Sequence, residues 1–341
     1  MKKMQLALVA ITGWLCAPVS AQTLDVSMAP FTWLAKDGVN IGCTNLARGY
    51  VLTAPSPFGG LSAMAIREDT IFLLADTGRI FSGKITRDEL GFVSSIAALS
   101  EEPLQNKGGV DLGKRFGDSE GLLLEENGDA LVSIEGNHRI MRFRHAEGSW
   151  LADERLFSKR ISEVGPNRGL ESLTRLQDGR LLSMTEFVSD EGFARLFINE
   201  APNATTWHEH RYRPAPDFAV TEAATDPLSG DVFVLERAFS RARGPRARLV
   251  RIDASAMESL GASPMTIEGT ELARFSLLHG IDNMEGLIVE RDQAGTLFAH
   301  LLSDDNFNDI QRTVLMGLQI DEGEACLPAP KAGPGPNASP G

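Results

Sequence analysis

Five stretches of this chain set an acid or a hydroxyl at the head of an apolar run, at nearly regular intervals. The residues concerned are Ser62, Glu120, Glu171, Glu222 and Glu285. A second acid follows each of the first four at an almost constant distance, at Asp76, Glu135, Glu186 and Glu236. In the last stretch it comes slightly later, at Asp304, with Asp305-Asn306 behind it. Carboxylates repeated in this way suit a hard divalent cation, calcium first, because such an ion takes several carboxylate oxygens at once. If Glu120, Glu171, Glu222 and Glu285 converge, they cannot all stay ionised without cations, arginines or protons. The candidate metal ligands are therefore those four and Asp304, and the four glutamates are also the catalytic candidates. The architectural alternative is that each glutamate caps backbone N–H groups between repeats. Arg79, Arg139, Arg168 and Arg237 stand beside these acids. They either pair with the carboxylates or hold an anionic substrate, such as a phosphate ester, next to a metal. His138 reads as an exposed loop residue in the same layer, and His208-Glu209-His210 as solvated outer-strand surface.

The elements that position these residues are hairpins. Asp118-Ser119-Glu120 opens onto Gly121-Leu122-Leu123-Leu124, then the turn Glu125-Glu126-Asn127-Gly128-Asp129, then Ala130-Leu131-Val132-Ser133-Ile134-Glu135. Short apolar runs bounded by turn residues predict paired strands rather than helix. The pattern recurs around Glu171, Glu222 and Glu285, and around Ser62. A repeat of about 50 residues, with three or four short strands per unit, is the signature of propeller blades. The expected fold is all-β: a single β-propeller with five repeats visible between positions 58 and 320. It has five or six blades and is closed by N- and C-terminal strands. Further strands are expected at residues 140–144, 195–199, 247–252 and 313–320. Residues 254–260 are the only helical candidate. The N-terminal strands either build a sixth unit or complete the last, which has room for three strands of its own. Because the first strand of each blade lines the channel and a hairpin returns the chain to the same end, both sets of acids should meet at one mouth.

The chain has 341 residues, 43% of them hydrophobic, enough for one large domain. Residues 1–21 read as a secretory leader: Lys2-Lys3, an apolar run too short to span a bilayer comfortably, then Val19-Ser20-Ala21. An exported protein, periplasmic or extracellular, is expected, with the propeller over residues 22–326 and a disordered Pro/Gly-rich tail at 327–341. Loss of the leader takes the formal charge from -13 to -15. Such a balance disfavours nucleic acid and anionic lipid as partners. A small anionic or ester substrate, no membrane insertion and a monomer are expected instead. Cys43 and Cys326 remain, one near each end, and can pair in an oxidising compartment. Met64 spoils a G-x-S-x-G elbow at Gly60-Leu61-Ser62-Ala63-Met64. Walker, dinucleotide and HExxH motifs are absent.

At these residues the chain resembles the phytase-like proteins, described by an esterase-like activity of phytase. The matching pieces are Gly59-Gly60-Leu61-Ser62-Ala63-Met64, Asp118-Ser119-Glu120-Gly121-Leu122, Asn167-Arg168-Gly169-Leu170-Glu171-Ser172-Leu173, Asp282-Asn283-Met284-Glu285-Gly286-Leu287 and Leu302-Ser303-Asp304-Asp305-Asn306-Phe307. The resemblance implies an exported propeller whose repeated Glu and Asp hydrolyse phosphate esters or related substrates. The leading reading is a metal-assisted hydrolase. Two others fit the same residues: a non-catalytic propeller that binds a ligand or protein, and a lactonase-like hydrolase with a channel metal.

Overall fold

The structure, a computed structural model, describes residues 22–156, 169–323 and 326. The leader, the tail and Arg168 lie outside the described residues. Strand is the dominant element of the described residues, in five antiparallel sheets that follow one another in chain order, the first two being joined by a short parallel pairing of their outer strands, Trp150 with Leu104 and Leu151 with Gln105. The first runs from its inner strand Leu61–Arg67 through Thr70–Ala75 and Arg79–Arg87 to Leu99–Gln105. The second is Ser119–Leu124, Ala130–Ile134, Arg139–Ala146 and Ser149–Leu156. The third begins at Thr174–Arg175, preceded by a bridge between Leu170 and Thr185. It continues through Leu181–Val188 and Ala194–Asn199 to Trp207–Tyr212. The fourth is Ala219–Thr225, Val232–Ser240, Gly244–Ile252 and Thr270–Ser276. The fifth has three strands of its own, Asn283–Arg291, Leu297–Asp304 and Thr313–Ile320. Its fourth, Thr44–Thr53, comes from the N-terminal part of the chain. The N-terminal strands thus complete the last unit rather than building another, and this covers an edge that would otherwise stay unpaired.

The inner strands touch in sequence, first to second, on to third, fourth and fifth, and the fifth meets the first again. This closed ring is a β-propeller. Both faces of most sheets are covered by a neighbour, which explains why strands such as Ala130–Ile134 and Leu297–Asp304 are buried along their whole length instead of alternating. Apolar clusters fill the joints. Leu74, Ile80, Val132 and Phe143 pack between the first and second sheets. Phe233, Leu249, Met284 and Leu301 pack between the fourth and fifth. Cys43 and Cys326 are bonded, with Cα atoms 5.4 Å apart, so both ends of the ring are tied at the fifth sheet. The helical candidate is present as Ala254–Glu258. A second short helix, Gly113–Phe116, lies between the first two sheets.

Candidate active site at the channel mouth

Pairing register decides which side chains face the channel mouth. Just inside the start of the inner strand, the ladder slips by one position, leaving Ser62, Glu120 and Glu285 bulged in the first, second and fifth sheets. Glu171 takes the same place in the third, after the Leu170–Thr185 bridge and with its N–H donated to Met184 O. A bulge breaks the alternation and re-aims its side chain, here toward the channel. Beside each bulge sits a second-strand partner: Asp76 opposite Gly60, Glu135 opposite Asp118, Glu186 opposite Gly169 and Asp304 opposite Asn283.

The fourth sheet departs from the pattern expected of the repeat. There the slip falls between Val220 and Glu222, so the bulged residue is Thr221. Val220 pairs with Glu236 and Ala219 with Arg237, so the second position belongs to Arg237. An offset of a single position sends side chains to the other face, and both predicted acids leave the mouth. Glu222 is 2% exposed and its Oε1 accepts the N–H groups of Leu173 (3.1 Å) and Ala223 (2.9 Å). It is a cap between sheets. Glu236, fully buried, accepts from Tyr212 Oη (2.6 Å), Ala215 N (3.2 Å) and the Arg248 guanidinium.

The mouth is a cavity of about 250 Å³ lined by Ser62, Asp76, Lys114, Glu120, Glu135, Glu171, Glu186, Arg237, Asn283, Glu285, Asp304 and Asn306. Seven carboxylates here face two cations, so the hub carries more negative charge than its own bases can offset. Arg237 bridges Glu186 and Glu285, at 2.6 Å each. Lys114 reaches Asp76 at 2.5 Å and Asp118 at 2.7 Å. The other predicted arginines do different work. Arg79 pairs with Glu101 at the edge of the first sheet. Arg139 is buried and donates to Phe116 O and Asn137 O (2.9 Å in the latter case); burial, with Arg155 nearby, lowers its pKa to about 10. His138 is buried, not exposed, and His210 is buried beneath residues 261–267 with Nδ1 accepting Met265 N–H at 3.2 Å.

Burial dominates the electrostatics. It raises Glu120 and Glu171 well above the carboxylate range, helped by Asp118 and Glu285 around the first and by Glu120 and Glu186 around the second. Glu285 stands at about 8: burial is the largest cause, Arg237 pulls down, and Asp304 and Glu186 push up. Asp304 stands at about 6, again through burial, with the Asn306 N–H pulling down and Asp76 pushing up. Without a cation, then, the hub meets its excess charge by holding protons.

A hard divalent ion fits the side chains present. Asp118, Glu120 and Glu135 each offer an oxygen, all within 4.8 Å of one another. No hydrogen bond reaches the side chain of Glu120 or Glu171 among the described residues, and Asp76 Oδ1 is buried with no donor. Carboxylate oxygens of this kind suit calcium or magnesium. Of the predicted ligands, only Glu120 belongs to this triad. Glu135 comes from the predicted second layer, and Asp118 precedes the repeat position rather than occupying it. Lys114 escapes the repeat pattern because it sits in a helix between units and has no counterpart in them.

The phytase-like family model, described by its esterase-like activity of phytase, matches residues 56–307. No curated protein matches the chain. Among solved structures, the chain is similar to a putative gluconolactonase, at 12% identity over 89% of this chain and 90% of that one, TM-score 0.42. It is also similar to virginiamycin B lyase from Staphylococcus aureus, at 7% identity over 87% and 99%, TM-score 0.38. A third is a luciferin-regenerating enzyme, at 9% identity over 76% and 92%, TM-score 0.40.

Proposed function

The chain belongs to the phytase-like family, and from that premise we propose that its acidic hub hydrolyses esters, phosphate esters among them, with a bound divalent cation, calcium first. One observation carries the reading. Carboxylates converge at the mouth of a channel where seven of them face two cations, and among the described residues no hydrogen bond reaches the side chains of Glu120 and Glu171. A purely architectural ring would satisfy its acids as Glu222 and Glu236 are satisfied.

Asp118, Glu120 and Glu135 would hold the cation. Its chemistry there is neutralisation of the carboxylates and polarisation of the ester oxygen. The chain's own groups supply the rest. Glu285, with Oε1 engaged by Arg237 and Asn283 Nδ2 (2.8 Å in the latter case), keeps its other oxygen for the cavity, and its pKa of about 8 lets it hold a proton near neutrality. A carboxyl so tuned gives that proton to a departing alkoxide. Glu171, whose pKa burial and the neighbouring Glu120 raise, accepts a proton from attacking water only when cation binding draws that pKa down. Arg237 holds Glu285 and Glu186 in register. The reading of residues 1–21 as a secretory leader supports action outside the cytoplasm, and no helix among the described residues is long and apolar enough to cross a membrane.

Phosphomonoester, phosphodiester and carboxylester substrates, each with and without chelator, test this directly. Chelation should abolish turnover, and Glu171→Gln and Glu285→Gln should each lower kcat by roughly a hundredfold or more. Hydrolysis unaffected by chelator, or undiminished in both variants, would overturn the assignment.

A further inference from the structure

Lys114 stands at the hub in a helix that packing does not explain. The helix, Gly113–Phe116, follows the outer strand of the first sheet and leads to Asp118, and none of its side chains is buried. Backbone contacts fix it instead. Leu112 N–H donates to Leu104 O at 2.8 Å on one side, and Phe116 O accepts the Arg139 guanidinium on the other. Gly117 lies against Gly78, two residues past Asp76, where a methyl group on either glycine would come within 3.3 Å of the other's backbone.

The result is an ammonium held between carboxylates of neighbouring units. Nζ lies 2.5 Å from Asp76 Oδ2 and 2.7 Å from Asp118 Oδ1. Calcium takes carboxylate oxygens at about 2.3–2.6 Å, so Nζ sits close to where an ion shared by those two oxygens would sit. Asp76 has a further oxygen to offer, since its Oδ1 is buried and accepts no hydrogen bond among the described residues. Asp118 is also one of the three acids of the metal triad. Lys114 and a divalent ion at the triad thus share a ligand.

The rest of the hub has no positive charge to lend this side. Arg237 is taken by Glu186 and Glu285, from the third and fifth sheets. Glu171, 8% exposed and lining the same cavity, accepts no hydrogen bond on its side chain among the described residues.

We infer that Lys114 is a tethered counter-ion filling a second cation position of the hub, between Asp76 and Asp118, and that this position takes a divalent ion once the ammonium is removed. The inference rests on the cation-binding reading of the triad for the number of ions in wild type, and not on hydrolysis. A tethered ammonium keeps the two acids paired at any calcium concentration and limits the hub to one ion.

Calcium titrated calorimetrically into the metal-free full chain counts the ions. Wild type should take one, and the neutral variants Lys114→Met and Lys114→Gln should each take two. Lys114→Arg, which keeps the charge, should take one. Adding Asp76→Asn to either neutral variant should return it to one, because Asp76 belongs to the second position and not to the triad. Two ions in wild type, no gain of an ion in either neutral variant, or a gain that survives Asp76→Asn would overturn the inference. No ion in wild type and one in the neutral variants, lost again with Asp76→Asn, would remove the triad and leave this inference standing. The expected counts in a protein that cleaves no ester would remove the hydrolytic reading alone.

Discussion

Glu222 and Glu171 stand at the same place in the sequence repeat and end in opposite situations. Glu222 accepts two backbone N–H groups and is shut away from the mouth, and burial raises its pKa against the pull of those two donors. Glutamine keeps the shape and a carbonyl acceptor for both N–H groups, so Glu222→Gln should leave ester turnover and calcium affinity close to wild type. The matching change at Glu120 should weaken calcium binding by at least about tenfold, since loss of even an outer-shell partner of a metal does as much. Calcium affinities of the two variants, measured side by side, check this; equal losses would mean that the triad is not the ligand set. At this scale the sequence is informative about residue type and less so about partner. Arg79, Arg139 and Arg237 each follow a second-layer acid closely, yet only Arg237 faces the hub. A side chain's face in a strand depends on the pairing register, which spacing alone does not reveal.

At the scale of the hairpin, the repeat is legible because every unit must present the same inner strand to the channel. Apolar runs and turn residues locate the inner hairpin of each unit and a further strand in four of them, but not Arg79–Arg87, Leu99–Gln105, Ser149–Leu156 or Thr270–Ser276. The fourth unit is misaligned by a single position because its acids, Glu222 and Glu236, each stand one place from the positions held by Thr221 and Arg237, and only the ladder from Ala219 to Thr225 shows which residue is bulged. The consequence is testable. Thr221→Glu would set a further carboxylate into the bulge beside its neighbours on the ring. The metal-free variant should melt below wild type, and calcium should raise its melting temperature by more than it raises that of wild type. A melting curve indistinguishable from wild type, with and without calcium, would show that position 221 does not face the hub. The helix Gly113–Phe116 is hidden in the sequence because it occurs once, outside the repeating strands, where no comparison between units can reveal it.

Over the whole molecule, closure and charge govern stability. The bond between Cys43 and Cys326 spans 283 residues of sequence and fastens the shared fifth sheet. Removing a native disulfide typically costs about 2–5 kcal/mol, so Cys43→Ser should lower the unfolding free energy by that much while keeping the β spectrum. Unchanged stability would mean that strand pairing alone closes the ring. The hub sets an opposing pH dependence. Below their ordinary range, Glu285 and Asp304 are protonated in the folded and unfolded chain alike. As pH rises, the unfolded chain ionises first, so the metal-free fold loses stability up to about pH 8, where Glu285 itself ionises. Glu290 has the reverse sign: burial raises its pKa, but His300 and Arg87 outweigh it and hold it at about 2, so its contribution is lost as pH falls from the ordinary range toward that value. Calcium should cancel the alkaline loss by taking the place of the protons. The most direct measurement is a calorimetric titration of calcium into metal-free wild-type protein and Glu120→Gln, at mildly acidic and mildly alkaline pH. Saturable binding, tighter at the higher pH because protons must leave, and at least about tenfold weaker in the variant, is the expected result. No saturable binding, or equal affinity in the two proteins, would contradict a cation-binding hub.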